Sequence, residues 1–368
     1  MTEQRAIRTG HPYFMFDAIM GQPRAVAEML RRHATAAQEV AATIVKKRRL
    51  YVVGIGTSWH AALVAECWFR RFAAGALEVQ AWHSFEFCAY PPLLTGDDAV
   101  IVISHRGTKT YSFLALEMAK ARGAYTVAVT ATDPGPRIQV ADVNLLTVAQ
   151  EQSAAFTISY TTALAVLALL ATALGSWIDS SEDLPKLRAR LEEVPEAMTQ
   201  VLAKQAEVQQ AARRFRVRQR FIAVGWGPNT ANAYEAALKI KETSACDSEG
   251  LQVEQILHGP FCSVDHRCLM TLIAPPGPGY ERALNIARAA IDVDAPVWAL
   301  VQEADLLLSD LVTAAFTLPA LPEVWSPLVY VVPLQLFTYY LALAKGAHPD
   351  LFQQNNPKQA AARQHYDL

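Results

Sequence analysis

Two distant stretches of this chain open in the same way. Residues 51–58 read YVVGIGTS and residues 221–229 read FIAVGWGPN, and each runs an apolar strand pattern into a Gly-x-Gly turn. An Ala-rich helical pattern follows each turn, WHAALVAECWFRRF after the first and TANAYEAALKIKET after the second. A repeated strand, glycine turn and helix implies two α/β units of one architecture in tandem. In the first unit, strand patterns at 77–82, 99–104, 125–130 and 144–148 alternate with helical patterns at 111–122 and 157–177. That alternation predicts a mostly parallel sheet covered on both faces. Residues 183–216, rich in Glu, Arg, Ala, Leu and Gln, predict one or two joining helices. The second unit shows strand patterns at 220–224, 269–274, 297–301 and 315–318, and a long apolar helix from Val324 closes it. The polar tail, 348–368, predicts a loop or extended arm. The expected division is 1–200 for N-terminal helices, the first domain and the start of a linker, 201–347 for the second domain, and 348–368 for the arm.

Composition removes several function classes. With 368 residues, 52% hydrophobic and 18% charged, the chain has material for two well-buried domains. Its formal net charge of -2, with no basic run interleaved with aromatics, argues against nucleic acid as a partner. The five cysteines are scattered, which fits a reducing cytoplasm better than a disulfide framework. Cys262, His266 and Cys268 are close together, but a strand edge carrying two small thiols describes them more simply than zinc ligation, and no metal is expected. The N-terminus lacks the apolar stretch of a signal peptide. Residues 161–178 and 324–344 are uncharged, and Pro327 and Pro333 interrupt the second run. Neither run is flanked on one side by a Lys/Arg-rich loop, so both are expected as buried core or interface helices and no membrane partner is expected.

Chemistry-bearing residues concentrate in KIKETSACDSEGLQVEQILHGP, residues 239–260. Lys239 and Glu242 share a helix face. His258 stands at a Gly-Pro turn. Aldose–ketose interconversion moves a proton between neighbouring carbons, which one carboxylate can take and return, and Glu242 is the candidate. His258 is the candidate for opening the sugar ring, since histidine is the side chain best suited to proton transfer at physiological pH. Lys239 can stabilise negative charge developing on oxygen. Taken alone, these residues are described more simply as a solvated i,i+3 pair and a turn cap. A second set suits a phosphate. Gly56, Thr57 and Ser58 open one helix, and Ser104, Arg106, Gly107, Thr108 and Thr110 surround the start of another, where free N–H groups and the positive dipole end favour an anion. Arg106 can grip a phosphate or carboxylate through two parallel hydrogen bonds. Simple helix capping by Ser and Thr is the alternative. The Gly-x-Gly-x-x-Gly dinucleotide fingerprint is absent, and no cofactor is expected.

Taken together, these motifs resemble the sugar isomerase (SIS) family in its double-domain form, and within it the isomerase half of glucosamine-6-phosphate synthases. The resemblance runs from about Val52 to Pro357. It is carried by Gly56-Thr57-Ser58-Trp59-His60-Ala61, Ser84-Phe85-Glu86-Phe87, Ile103-Ser104-His105-Arg106-Gly107, EQSAAFTISYT at 151–161, and above all Lys239-Ile-Lys-Glu242 with His258-Gly-Pro260. It implies two tandem flavodoxin-like domains, each a three-layer α/β/α, and a sugar-phosphate substrate, and it gives Glu242, His258 and Lys239 the catalytic roles above. It adds Ala154 and Thr157 to the sugar-phosphate contacts, and Glu86 as an orienting group. It also implies a homodimer in which one subunit completes the other's pocket, a state that the apolar C-terminal helix and polar arm suit.

The departures from the pattern are informative. The chain starts at Met1-Thr2 and enters the first α/β unit directly, so no glutaminase domain is expected upstream and full synthase activity with glutamine is not expected of this chain alone. His105, Arg106 and Lys109 stand where the pattern has Gln, Ser and Thr. Five residues after the tail Pro, where the synthases place a catalytic Lys, stands Ala362, with Lys358 and Arg363 nearby. The expected activity is therefore an isomerisation coupled to loss of nitrogen, by a deaminase or a deglycase of a ketose-phosphate adduct. An ammonia-using synthase-like enzyme and a non-catalytic sugar-phosphate sensor are the alternatives.

Overall fold

The computed structural model describes residues 7–178 and 182–366. Helices α1 (Phe14–Arg32) and α2 (Ala34–Ile44) precede β1 (Arg49–Gly54), α3 (Thr57–Ala73), β2 (Glu78–His83), α4 (Ser84–Ala89), β3 (Asp98–Ile103), α5 (Thr110–Ala121), β4 (Tyr125–Thr130), β5 (Val143–Leu146) and α6 (Ile158–Ile178). Helices α7 (Leu184–Glu192), α8 (Val194–Ala203) and α9 (Gln205–Phe215) lead to β6 (Arg220–Gly225), α10 (Asn229–Ser244), β7 (Asp247–Gln252) and β8 (Cys268–Ala274). After these come α11 (Tyr280–Asp292), β9 (Val297–Gln302), α12 (Leu306–Ser309), β10 (Ala314–Leu318), α13 (Ser326–Ala344) and α14 (Pro357–Ala362).

The strands form two five-stranded sheets, ordered β2-β1-β3-β4-β5 and β10-β9-β8-β6-β7. Every pairing is parallel. Replacing β1–β5 by β6–β10 turns one order into the other, so the sequence echo is an echo of topology. Both are the 2-1-3-4-5 doubly wound order, whose switch point lies between the first and third strands. Strands β3 and β8 are buried along their whole length, which is why they read as unbroken apolar runs. The first sheet belongs to a unit made of 22–150 and 158–195. The second belongs to a unit made of the segment through Gly21, Glu151–Thr157 and the chain from Glu196 onward.

Helices α6 and α13 are long and apolar enough to cross a membrane, but 83% and 89% of their most apolar windows are buried inside the protein. Helix α6 packs on α2 and α3, and α13 packs on α9 and α10. Three details differ from the sequence expectation. Residues 183–216 form three helices, because Pro195 restarts the chain at α8 and Lys204 breaks it again before α9. Strand β7 (DSEGLQ) carries no apolar run, since it is an edge strand whose Gly250 lets α10 approach; a Cβ there would meet Ala233 O at 2.5 Å. The tail is not wholly irregular, for Asn356 accepts a hydrogen bond from Lys358 N and Pro357 occupies the first turn of α14.

Candidate active site

The two glycines of each repeated turn have separate tasks. A Cβ on Gly54 would lie 2.3 Å from Ser58 O, and one on Gly225 would lie 2.4 Å from Asn229 O, so each lets a helix start against its strand. Gly56 and Gly227 take positive φ, +57° and +49°, to turn the chain into that helix. Residues 56–58 thus fall at the carboxyl end of β1, and 104–110 at the carboxyl end of β3. These are the two strands of the switch point in the first sheet, the place where doubly wound folds bind ligands. The N-cap residues of α3 and α5, Gly56 and Lys109, supply no side-chain cap, and a helix N-terminus suits an anion. Backbone bonds fix the second loop, Ser104 N to Val129 O at 3.0 Å, Ala131 N to His105 O at 2.8 Å and Gly135 N to Arg106 O at 2.9 Å.

The electrostatics of that loop are unusual. Burial, assisted by the Arg106 charge, lowers His105 to about 4, so the imidazole is neutral at pH 7. Burial and then Arg106 also pull Lys109 below the ordinary lysine range. The loop therefore holds two mutually repelling cations partly withdrawn from water, which an anion between them would relieve. At the corresponding switch point of the second sheet, Trp226 Nε1 donates to Glu323 Oε1 at 3.1 Å. A Cβ on Gly279 would meet the Trp226 ring at 2.4 Å, and one on Gly277 would meet the Glu323 carboxylate at 3.0 Å. An indole and a carboxylate occupy that position, a combination unsuited to phosphate.

The second unit carries a buried group of carboxylates around a lysine. Glu235, Lys239 and Glu242 follow one face of α10 at i, i+4 and i+7. Lys239, with only 2% of its side chain exposed, lies 3.4 Å from Glu235 and forms an ion pair with Glu242. Glu151 belongs to the same charged group and accepts from Thr157 N through both carboxylate oxygens at 3.0 Å. Burial disfavours the charge on Lys239, but Glu235, Glu242 and Glu151 outweigh it and raise the ammonium above its ordinary value. Burial pushes Glu242 up to about 7; Lys239 pulls it down, and Glu235 and Glu151 push it further up. The Glu242 side chain keeps 14% of its surface exposed, at the wall of a cavity of about 470 Å³ lined also by Lys241, Cys246, Phe352, Gln359 and Arg363.

The SIS domain family matches residues 43–173. Glutamine–fructose-6-phosphate aminotransferase (isomerizing) from Thermococcus kodakarensis is 32% identical over 353 residues, covering 95% of this chain and 58% of that protein. Residues 43–173 carry a SIS domain. It spans 58% of the length of that relative. Among solved structures, the C-terminal domain of glucosamine-fructose-6-phosphate aminotransferase from Francisella tularensis superposes with a TM-score of 0.85 at 22% identity, covering 94% of this chain and 99% of that one. Glucosamine-6-phosphate deaminase from Thermotoga maritima gives 0.74 at 19% identity, with 92% and 97% covered.

The expected residues fall into distinct groups. Gly56, Thr57, Ser58, Ser104, Arg106, Gly107, Thr108 and Thr110 belong to the unit of the first sheet, and Lys239 and Glu242 to that of the second. Thr157 is fully buried, with its N–H and hydroxyl directed at Glu151, and Ala154 N donates to Asp350 O at 3.0 Å. Both belong to the unit of the second sheet. His258 is 69% exposed, 3.3 Å from Glu254 on a turn that Gly259 makes at a φ of +115°, and it does not line the Glu242 cavity. Lys358 is exposed and does not line it either, whereas Gln359 and Arg363 do. Glu86 is exposed on α4. Sequence reasoning missed Glu235, although its spacing from Lys239 and Glu242 was the available signal. It also missed the carboxylate role of Glu151, which no local pattern announces.

Proposed function

We propose that this chain is a sugar-phosphate isomerase-type enzyme that removes nitrogen from an amino-sugar phosphate or a ketose-phosphate amine adduct. One observation carries the reading: Glu242, held near pH 7 beside Lys239 at a cavity wall, is matched to taking and returning a proton under physiological conditions. The loops after β1 and β3 take the phosphate. Glu242 removes a proton from the carbon next to the carbonyl or imine carbon, and Lys239 supports the negative charge that develops on the enediol or enolamine. Glu242 then returns the proton to the neighbouring carbon. Water hydrolyses the resulting C=N bond, releasing ammonia or an amine and leaving a sugar phosphate, without change in overall oxidation state. His258 opens the ring. Because its turn is exposed and away from the cavity, it serves the site of a second copy in a homodimer, in a cytoplasmic setting.

The test is amine release from glucosamine 6-phosphate and from amino-acid conjugates of fructose 6-phosphate, with Glu242→Gln alongside. Turnover by the wild type and a loss of about 10²–10⁴-fold in the variant are expected. Equal turnover by the variant removes Glu242 from the mechanism. The similarity to an aminotransferase supports a second reading, incorporation of nitrogen, which predicts product only when ammonia and fructose 6-phosphate are supplied together.

A further inference from the structure

The part of the tail that reaches the Glu242 cavity is not the part the family pattern points to. Lys358, the only lysine in the tail after Gly346, is exposed outside the cavity, and Ala362 has no functional group. Gln359 and Arg363, four residues apart and so on one side of the helical turn, line the cavity together with Glu242. Arg363 is half-buried and held in place. Its Nη2 donates to Phe352 O at 2.5 Å, and its guanidinium lies 5.3 Å from the centre of the Phe352 ring. Its Nε is buried without a hydrogen-bond partner among the described residues, a donor whose desolvation they do not offset. The charges around it favour an anion. Lys241 is the other cation of the lining, Asp247 is drawn off by Arg220 at 3.2 Å, and Glu242 is only partly ionised at pH 7.

A guanidinium stays protonated and does not form an imine with a sugar carbonyl, but its planar fork matches a carboxylate with two parallel hydrogen bonds. We infer that Arg363, with Gln359 beside it, is a specificity-determining residue that grips a carboxylate carried by the substrate in addition to its phosphate. The substrate class is then an amino-acid conjugate of a ketose phosphate, rather than a simple amino-sugar phosphate. This rests on the proposed function for the sugar and its phosphate, and it adds the second anionic group.

The experiment measures equilibrium binding of two probes, the fructose–glycine conjugate 6-phosphate and the matching glycinamide conjugate, which differ only in carboxylate against neutral amide. The full chain is compared with Arg363→Ala and Arg363→Lys. The wild type is expected to prefer the acid by about tenfold or more, the size of a charge-assisted contact. Arg363→Ala abolishes that preference while affinity for the amide holds, and Arg363→Lys retains only part of it. The inference is overturned if the wild type shows no preference for the acid, if it binds neither probe, or if the variants weaken both probes alike so that the preference persists. The last outcome would assign Arg363 to holding the tail. Preference for the acid without any turnover would sink the catalytic reading and leave this inference standing.

Discussion

The Glu242 carboxyl is governed by burial, which favours its proton, against Lys239, which favours its charge; burial wins and the group titrates at about 7. A base must be ionised, so kcat/KM for proton transfer is expected to rise with pH through about 7. The stability consequence has the opposite sign. The folded state holds this proton more tightly than the unfolded chain, so stability is fullest below about 4.5 and falls by about 3 kcal/mol as pH rises through 7. Denaturation of Glu242→Gln across that range is expected to lack the slope. Lys239→Met leaves the carboxylates of Glu235 and Glu242 without their cation. It is expected to cost about 3–5 kcal/mol in chemical denaturation and to shift the acid limb of any residual activity above pH 7. Of this group the sequence made Lys239 and Glu242 visible, because a helix period connects them, while Glu151 joins only through the fold.

Among the elements, the repeated strand–turn–helix makes a sharper distinction than a count of glycines. Gly54→Ala and Gly225→Ala drive a methyl group into helix backbone that has no room to yield, and each is expected to cost about 1–3 kcal/mol or more. At Gly56 a methyl would meet nothing within 4 Å, but φ +57° with ψ -130° is backbone that glycine alone adopts readily, so Gly56→Ala is expected to cost about 1–3 kcal/mol through conformation rather than contact. Urea denaturation of the three variants measures these costs. The β3–α5 loop has its own pH signature. His105 resists protonation down to about 4, whereas the unfolded chain takes up that proton near 6.5. Its contribution is therefore full above 6.5 and is lost as pH falls toward 4, by about 3 kcal/mol, and His105→Gln is expected to flatten the acid side of the stability curve.

For the whole molecule, topological equivalence of the two sheets does not make the two switch points chemically equivalent. The first carries the basic side chains Arg106 and Lys109, and the second carries the Trp226–Glu323 pair. One phosphate per chain is the stoichiometry expected by titration calorimetry. The assignment of His258 to a second copy gives a test of its own. Glu242→Gln and His258→Ala chains, each inactive alone, are expected to recover about a quarter of wild-type activity when mixed and allowed to exchange. Half of the resulting dimers are hybrids, and each hybrid has one intact site. No recovery in a verified mixed dimer would return His258 to its own chain or remove it from the reaction.

The sequence by itself determined the tandem architecture and the parallel sheets, because buried strands, glycine turns and amphipathic helices obey short-range rules that repeat in the chain. It also singled out Glu242, Lys239 and the two loops of the first switch point as candidates, since each lies within a few residues of a strand end or along one helix face. It did not reveal β7, whose polar residues suit an edge, or the closing of the second switch point, which depends on Glu323 meeting a turn 97 residues earlier. Nor did it separate Arg363 from Lys358 in the tail. Which of two neighbouring cations reaches a cavity depends on how a short helix is docked, and docking is a balance of contacts distant in sequence that only the tertiary structure decides.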